Sequence, residues 1–436
     1  MIRKSLRVLL TNLFVAYNSG SETVVELLAD GLRRAGHVPM ILAPTLGAQA
    51  VRMRARGHML VDRVAGLPAR PDVIHAQHTP VALAAMAAFP DVPAVFTCHS
   101  ALFEVEAPRP HPQIRQWVAV DALCRDRCLS RGVPADRLTV IANGVDFRRF
   151  ARRAPLPALP RRALLLSKNF GHQDAIRQVC AARGIAVDEL GPASGTVSDR
   201  IEAVLPDYDL VFATARMALE AASVGCAVVV CDARGFAGLL TSDRLPVWRG
   251  LNFGAGLLAE PVSQNLLTAA IEAYDPADAL LVANALRAEA SIDDCVAQYL
   301  TCYAAAIADP EPIDLPARAA ATAAWIEDLT PSTATGDWHR VATELFGLAA
   351  GPQVAASQAI EARLAELREA VDRVATELFG LAAGPQVAAS QAIEARLAEL
   401  REAVVRPSIA QLLWRRLTPL SVREALYRRL TERLRN

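Results

Sequence analysis

Between residue 7 and about residue 309 the hydrophobic pattern switches repeatedly between two periods. Short apolar runs bounded by turn residues stand at Arg7–Thr11, Val38–Ala43, Val73–His75, Ala94–Thr97, Trp117–Val120 and Thr139–Ile141. Such runs are the mark of strands covered on both faces. The segments between them have helical spacing, as from Thr23 to Ala35, where Val24, Leu27, Leu28 and Leu32 share a face and Gly36 can end the helix. This alternation predicts an α/β architecture with a doubly wound parallel sheet.

The same grammar restarts after Phe147–Arg162, an Arg/Pro-rich stretch suited to a linker. A strand is expected at Ala163–Ser167 and a helix near Asp174–Arg183, followed by the unit Leu205–Gly235. In that unit the strands Asp209–Ala213 and Cys226–Cys231 flank a helix whose apolar side is Met217, Leu219, Ala221, Ala222 and Val224, with Gly225 placed to end it. Ser263–Tyr274 and Asp278–Ala308 read as helical. The expected domains are therefore 1–150, 151–309, and a helical tail, 310–436.

In the tail, Arg340–Val371 recurs unchanged as Arg373–Val404. Ile360, Leu364, Leu367, Val371, Val374, Leu378 and Leu381 alternate spacings of four and three, a coiled-coil seam interrupted at Gly351-Pro352 and Gly384-Pro385. Helices folding back on each other or pairing between subunits through 340–404 are one expectation, and an amphipathic helix packed on its own domain is the other. Residues 405–436 carry eight arginines and two glutamates interleaved with Trp414, Leu417, Leu420 and Tyr427. Such a helix suits an anionic leaflet or an acidic protein face.

Composition narrows the function classes. Basic and acidic residues balance at 46 each, so no overall field points to nucleic acid. Only Lys4 and Lys168 are lysines among the basic residues, which singles out Lys168. The eight cysteines have neither CxxC nor zinc-ligand spacing and read as buried thiols in a reducing compartment. With no secretory h-region and no apolar run of spanning length, the expected location is cytoplasmic, with the inner membrane face as a peripheral site.

Candidate chemistry gathers where strands end, because α/β sheets bind ligands off their carboxyl edges. The Ser-Gly-Ser-Glu turn puts Gly20 and Ser21 at a helix amino end, an anion site or a plain cap. His75, His78 and His99 follow strands without the partners that metal binding needs. Lys168 and Asn169 follow the first strand of the second unit, and Thr214, Arg216 and Glu220 open the later helix. A carboxylate there suits a ribose diol, and Arg216 a diphosphate; equally, Arg216 and Glu220 are spaced as an ordinary helix surface pair.

Two such halves joined by a short linker resemble the GT-B glycosyltransferases of the family 4 type. The resemblance runs from Leu6 to Asp309 and is carried by SGSETVVELLADGLRRAGH, DVIHAQH, FTCHS, LEAASVGCAVVV and above all RGVPADRLTVIANGVDFRRF. It implies a nucleotide-sugar-dependent, retaining transferase without metal or other cofactor, acting in surface polysaccharide or glycoconjugate assembly. The first domain would take a glycan or lipid-linked acceptor, and the second the donor. It further implies Gly20 and Ser21 facing the donor diphosphate, His99 near the transferred sugar, Lys168 as the compensating cation, with Asn169 and Thr214 beside it, and Glu220 on the donor ribose. Two positions depart from the family: Phe212 stands where the E-x7-E motif has its first glutamate, and Leu166-Ser167 replace a Gly-Arg pair. A nucleotide-sugar epimerase and a non-catalytic scaffold acting through the coiled coil are the rival readings.

Overall fold

The structure is a computed structural model and describes residues 5–16, 20–101, 103–167, 171–191, 194–196, 198 and 200–329. Lys168, Asn169, the coiled-coil seam and the basic end at 405–436 lie outside the described residues. The first sheet is built from β1 (Arg7–Thr11), β2 (Val38–Leu42), β3 (Met59–Val61), β4 (Val73–Ala76), β5 (Ala94–Cys98), β6 (Ile114–Ala119) and β7 (Leu138–Val140). Its order is β3-β2-β1-β4-β5-β6-β7, and every pairing is parallel. The strands are apolar throughout because alternate residues serve opposite faces. Val8, Leu10, Val73 and Val95 join one core layer, whereas Leu9, Ile74 and Phe96 join the other.

Helix α1 (Gly20–Arg34) covers the first layer with Val24, Val25, Leu27, Leu28 and Leu32. Each such leucine, removed from water, contributes about 2 kcal/mol. Glu22 in its first turn and Arg33 and Arg34 in its last complement the helix dipole, and Gly36 (φ +84°) turns the chain into β2. Helix α2 (Ala48–Ala55) follows β2; α3 (Thr79–Ala88) and α4 (Ala122–Ser130) lie on the second face.

The second sheet comprises β8 (Arg162–Leu166), β9 (Ala186–Leu190), β10 (Leu210–Ala213), β11 (Ala227–Asp232) and β12 (Gly235–Leu239), in the order β9-β8-β10-β11-β12. Only β12 runs antiparallel. Helix α5 (Gln173–Ala181) is on one face, and α6 (Ala215–Val224) on the other. Gly225 is left-handed (φ +107°), the conformation expected of it. Then come α7 (Leu245–Gly250), α8 (Gln264–Glu272) and α9 (Pro276–Glu289).

After α9 the chain leaves this domain. The stretch read as one helical run breaks at Ala290 and Ser291, and Ser291 caps α10 (Ile292–Ala308) by accepting from Asp293 N–H. Helix α10 buries Tyr299, Tyr303 and Val296 in the first domain's core beside α1. Helix α11 (Leu315–Leu329) adds Trp325 to the other face of the same sheet, edge-on to Phe96 at 6.1 Å and to His111 at 5.5 Å. Residues 292–329, assigned from sequence to the second domain and the tail, thus pack on the first.

The two domain-linking segments meet where Val145 N–H donates to Ala290 O (2.8 Å) and Ile292 N–H to Val145 O (3.0 Å). Gly144 makes this possible: a Cβ there would stand 2.7 Å from Cys295 Sγ and 2.9 Å from Ile292 Cα. All eight cysteines are free and buried. Among the described residues no helix is long and apolar enough to cross a membrane.

Candidate active site

In the first domain the carboxyl ends of β1, β4 and β5 carry one polar network. Thr11 Oγ1 donates to Gln77 O (2.8 Å) and accepts from Gln77 N–H (3.0 Å), which fixes the loop after β4. Gln77 Nε2 donates to Asn12 Oδ1 (3.0 Å), leaving Gln77 Oε1 to accept from His99 Nε2. Burial pushes the His99 pKa down, so the ring is neutral and, with Nε2 donating, its Nδ1 is an acceptor. Sequence reasoning missed Gln77 and Asn12 as the parts that orient His99, although Gln77 stands inside the DVIHAQH motif.

The other two histidines are structural. His78 accepts from Leu13 N–H at Nδ1 (2.9 Å) and meets Glu106 Oε1 through Nε2 (2.9 Å). It therefore braces the loop after β1 against the turn at Glu104–Glu106, in a left-handed backbone conformation (φ +57°). His75 is fully buried, with Nδ1 2.7 Å from the Tyr303 hydroxyl.

Burial holds the His75 pKa at about 3, against 6.5 for a free imidazole. Below pH 6.5 the unfolded chain takes up a proton that the native state refuses, so stability is lost progressively as pH falls from 6.5 towards 3. The loss approaches about 1.4 kcal/mol per pH unit. Thermal unfolding of the wild type and of His75→Gln across this range checks it: the variant is expected to show the shallower decline.

In the second domain the carboxyl ends of β10 and β11 are tied together by Thr214 Oγ1, which donates to Asp232 Oδ2 (3.1 Å). Burial raises the Asp232 pKa, but Arg234, donating from its backbone N–H (2.8 Å) and its guanidinium, brings it below the ordinary value. One turn into α6, Arg216 Nε lies 2.9 Å from Glu220 Oε1. Both residues are buried, Arg216 at 8% exposure and Glu220 at 6%, so this is not the solvated surface pair their spacing also allows. The structure thus brings Thr214, Arg216 and Glu220 to one helix end.

Gly20 is exposed at the start of α1, with room for a side chain, and Ser21 is half-buried beside it. Phe212 has no exposure and packs in the core layer with Leu165, Val229 and Ile176. Its side chain cannot stand in for a site carboxylate. Along β9 a hollow of about 680 Å³ is lined by Asp188, Glu189, Arg200 and Tyr208 among others. Gly191 at its end passes so close to Ser167 that a Cβ would stand 2.1 Å from the Ser167 carbonyl oxygen. Among the described residues no group of three or more His, Cys, Asp or Glu side chains is placed to hold a metal ion.

Comparison with known proteins agrees with this layout. Residues 18–149 match the family described as Glycosyltransferase Family 4. No curated protein matches. Among solved structures, a glycosyltransferase from Rickettsia africae is similar at 12% identity and a TM-score of 0.50, covering 70% of this chain and 99% of its own. Anabaena HepE, solved in complex with UDP and glucose, is similar at 14% identity and a TM-score of 0.52, covering 69% of this chain and 99% of its own. The chain has the GT-B fold, two Rossmann-like domains facing a cleft, with a first domain that matches Glycosyltransferase Family 4.

Proposed function

We propose that the protein is a glycosyltransferase that moves a sugar from a nucleotide-diphosphate sugar to an acceptor hydroxyl. The observation that carries this is the buried Arg216–Glu220 pair at the carboxyl edge of the second sheet. A carboxylate paired with a guanidinium can still offer lone pairs to a diol, as a donor ribose requires. The amino end of α6 and Arg216 favour the diphosphate, with Lys168 and Asn169 as further contacts. The hollow beside β9 takes the nucleobase.

In the reaction the bond between the sugar's anomeric carbon and the phosphate oxygen breaks, and the acceptor oxygen bonds to that carbon. The acceptor's hydroxyl proton passes to the departing phosphate. Charge building on the diphosphate is stabilised by side-chain cations, so the reading needs no resident metal. On the first domain, His99 Nδ1 accepts from a sugar hydroxyl near Gly20 and Ser21. Anomeric configuration is retained, as family 4 resemblance implies, and the acceptor is a glycan or lipid-linked glycan of surface polysaccharide assembly. Residues 405–436 would rest on the membrane that carries it, and 340–404 would pair subunits.

The test is a screen of purified full-length protein against labelled sugar donors, with and without glycan acceptors. Transfer to an acceptor supports the reading. Turnover of the donor with no acceptor would point to an epimerase, and neither turnover nor binding to a scaffold.

A further inference from the structure

The amino end of α6 meets the last turn of α7 in an unusual piece of backbone. Ala215 (φ +52°), Asn252 (φ +52°) and Phe253 (φ +51°) are left-handed although none is glycine, and Ala215 N–H donates to Phe253 O (2.6 Å). Such conformations are costly for residues bearing a Cβ and persist where the surroundings enforce them. Here they join the start of α6, which carries Arg216, to the segment that follows α7, the helix that carries Arg249.

Arg216 is nine-tenths buried, and among the described residues neither its Nε nor its Nη2 has a hydrogen-bond partner. Arg249 Nη2 donates to Asn143 O (2.6 Å), at the end of the first domain, while its buried Nη1 has no hydrogen-bond partner among the described residues. Burial lowers the Arg249 pKa, with Arg216 adding to it and Cys295 and Glu289 opposing it. Glu220 offsets one of these cations through Arg216 Nε. Three guanidinium nitrogens, Arg216 Nε and Nη2 and Arg249 Nη1, are thus buried without a hydrogen-bond partner among the described residues, where such groups are expensive.

We propose that Arg216 and Arg249 together grip a phosphoryl group, which makes Arg249 a second phosphate-binding residue of this site. The proposal rests on the transferase reading only in taking that group to be part of a nucleoside diphosphate. Because Arg249 also holds the Asn143 carbonyl, the bound phosphate and the first domain's last loop share one side chain. Sequence gave no sign of this: Arg249 lies in LPVWRG, far from any recognised motif.

Calorimetric titration of the full chain with inorganic pyrophosphate, and with uridine, adenosine and guanosine diphosphates, tests the proposal. Wild type should bind pyrophosphate. Arg249→Met should weaken pyrophosphate and the preferred nucleoside diphosphate by about tenfold or more. Arg249→Lys should lose less, and Arg183→Gln, a half-buried charge paired with Glu272, nothing. Pyrophosphate should also shield Arg249 from a guanidinium-directed dicarbonyl reagent, read by mass spectrometry on the wild type and so independent of any variant's folding. Unaltered affinity in folded Arg249→Met, or no shielding, overturns the proposal. A nucleoside diphosphate whose binding needs Glu220 but not Arg249 leaves the transferase reading standing and removes this one. Pyrophosphate binding that needs Arg249, with no nucleoside diphosphate bound, does the reverse.

Discussion

Glu220→Gln is expected to cripple donor binding, by about two orders of magnitude, while leaving the fold in place. The substitution keeps the shape of the side chain and removes the charge set against Arg216, whose Nε is 2.9 Å away. With both side chains under a tenth exposed, solvent screens little of the loss. Stripping one partner from such a pair costs about 3 kcal/mol, because the other charge stays buried. Affinity for the preferred nucleoside diphosphate should fall by about 100-fold, the scale of truncating a buried charged contact. The double variant Arg216→Gln/Glu220→Gln separates the two effects. Two neutral side chains no longer leave an orphan charge, so the melting temperature should recover towards wild type while binding stays lost. Recovery of both, or full affinity in the single variant, would show the pair to be purely structural.

Phe212→Glu is expected to be the most damaging single change and to restore no function. Simple counting along the E-x7-E motif makes Phe212 the place to rebuild the family's first carboxylate. The fold says otherwise, since Phe212 is wholly buried among Leu165, Val229 and Ile176. Removing that ring costs about 3–5 kcal/mol, and an unpaired carboxylate in the same space adds several more. The total, above about 5 kcal/mol, is comparable to the stability of a whole domain. Soluble yield and circular dichroism should show the second domain lost, whereas Phe212→Leu should cost about 1–2 kcal/mol and fold. A folded Phe212→Glu that bound donor more tightly would mean that the residue faces the cleft after all.

Much of the architecture was legible because buried parallel strands write themselves as valine-rich runs and helices as a second period. Gly36 and Gly225 were readable as helix ends for the same local reason. Short β3, only Met59–Val61, was not. Nor was the return of α10 and α11 to the first domain. An apolar stripe says that a face is covered, and it does not say by what: Tyr299 and Tyr303 would give the same pattern on either sheet. At the site, Thr214, Arg216 and Glu220 converge because neighbours along a helix must. Gln77, Asn12 and Arg249 reach their places through contacts between distant segments, which spacing does not encode.

The crossing at Val145 and Ile292 has a consequence for synthesis. As the chain emerges from the ribosome, the first sheet appears with two of its covering helices still to come. The surfaces that Tyr303 and Trp325 will seal therefore stay open until the whole second domain has been made. The amino-terminal half thus finishes assembling last, and a nascent chain halted before residue 292 would display an unsealed apolar face to chaperones.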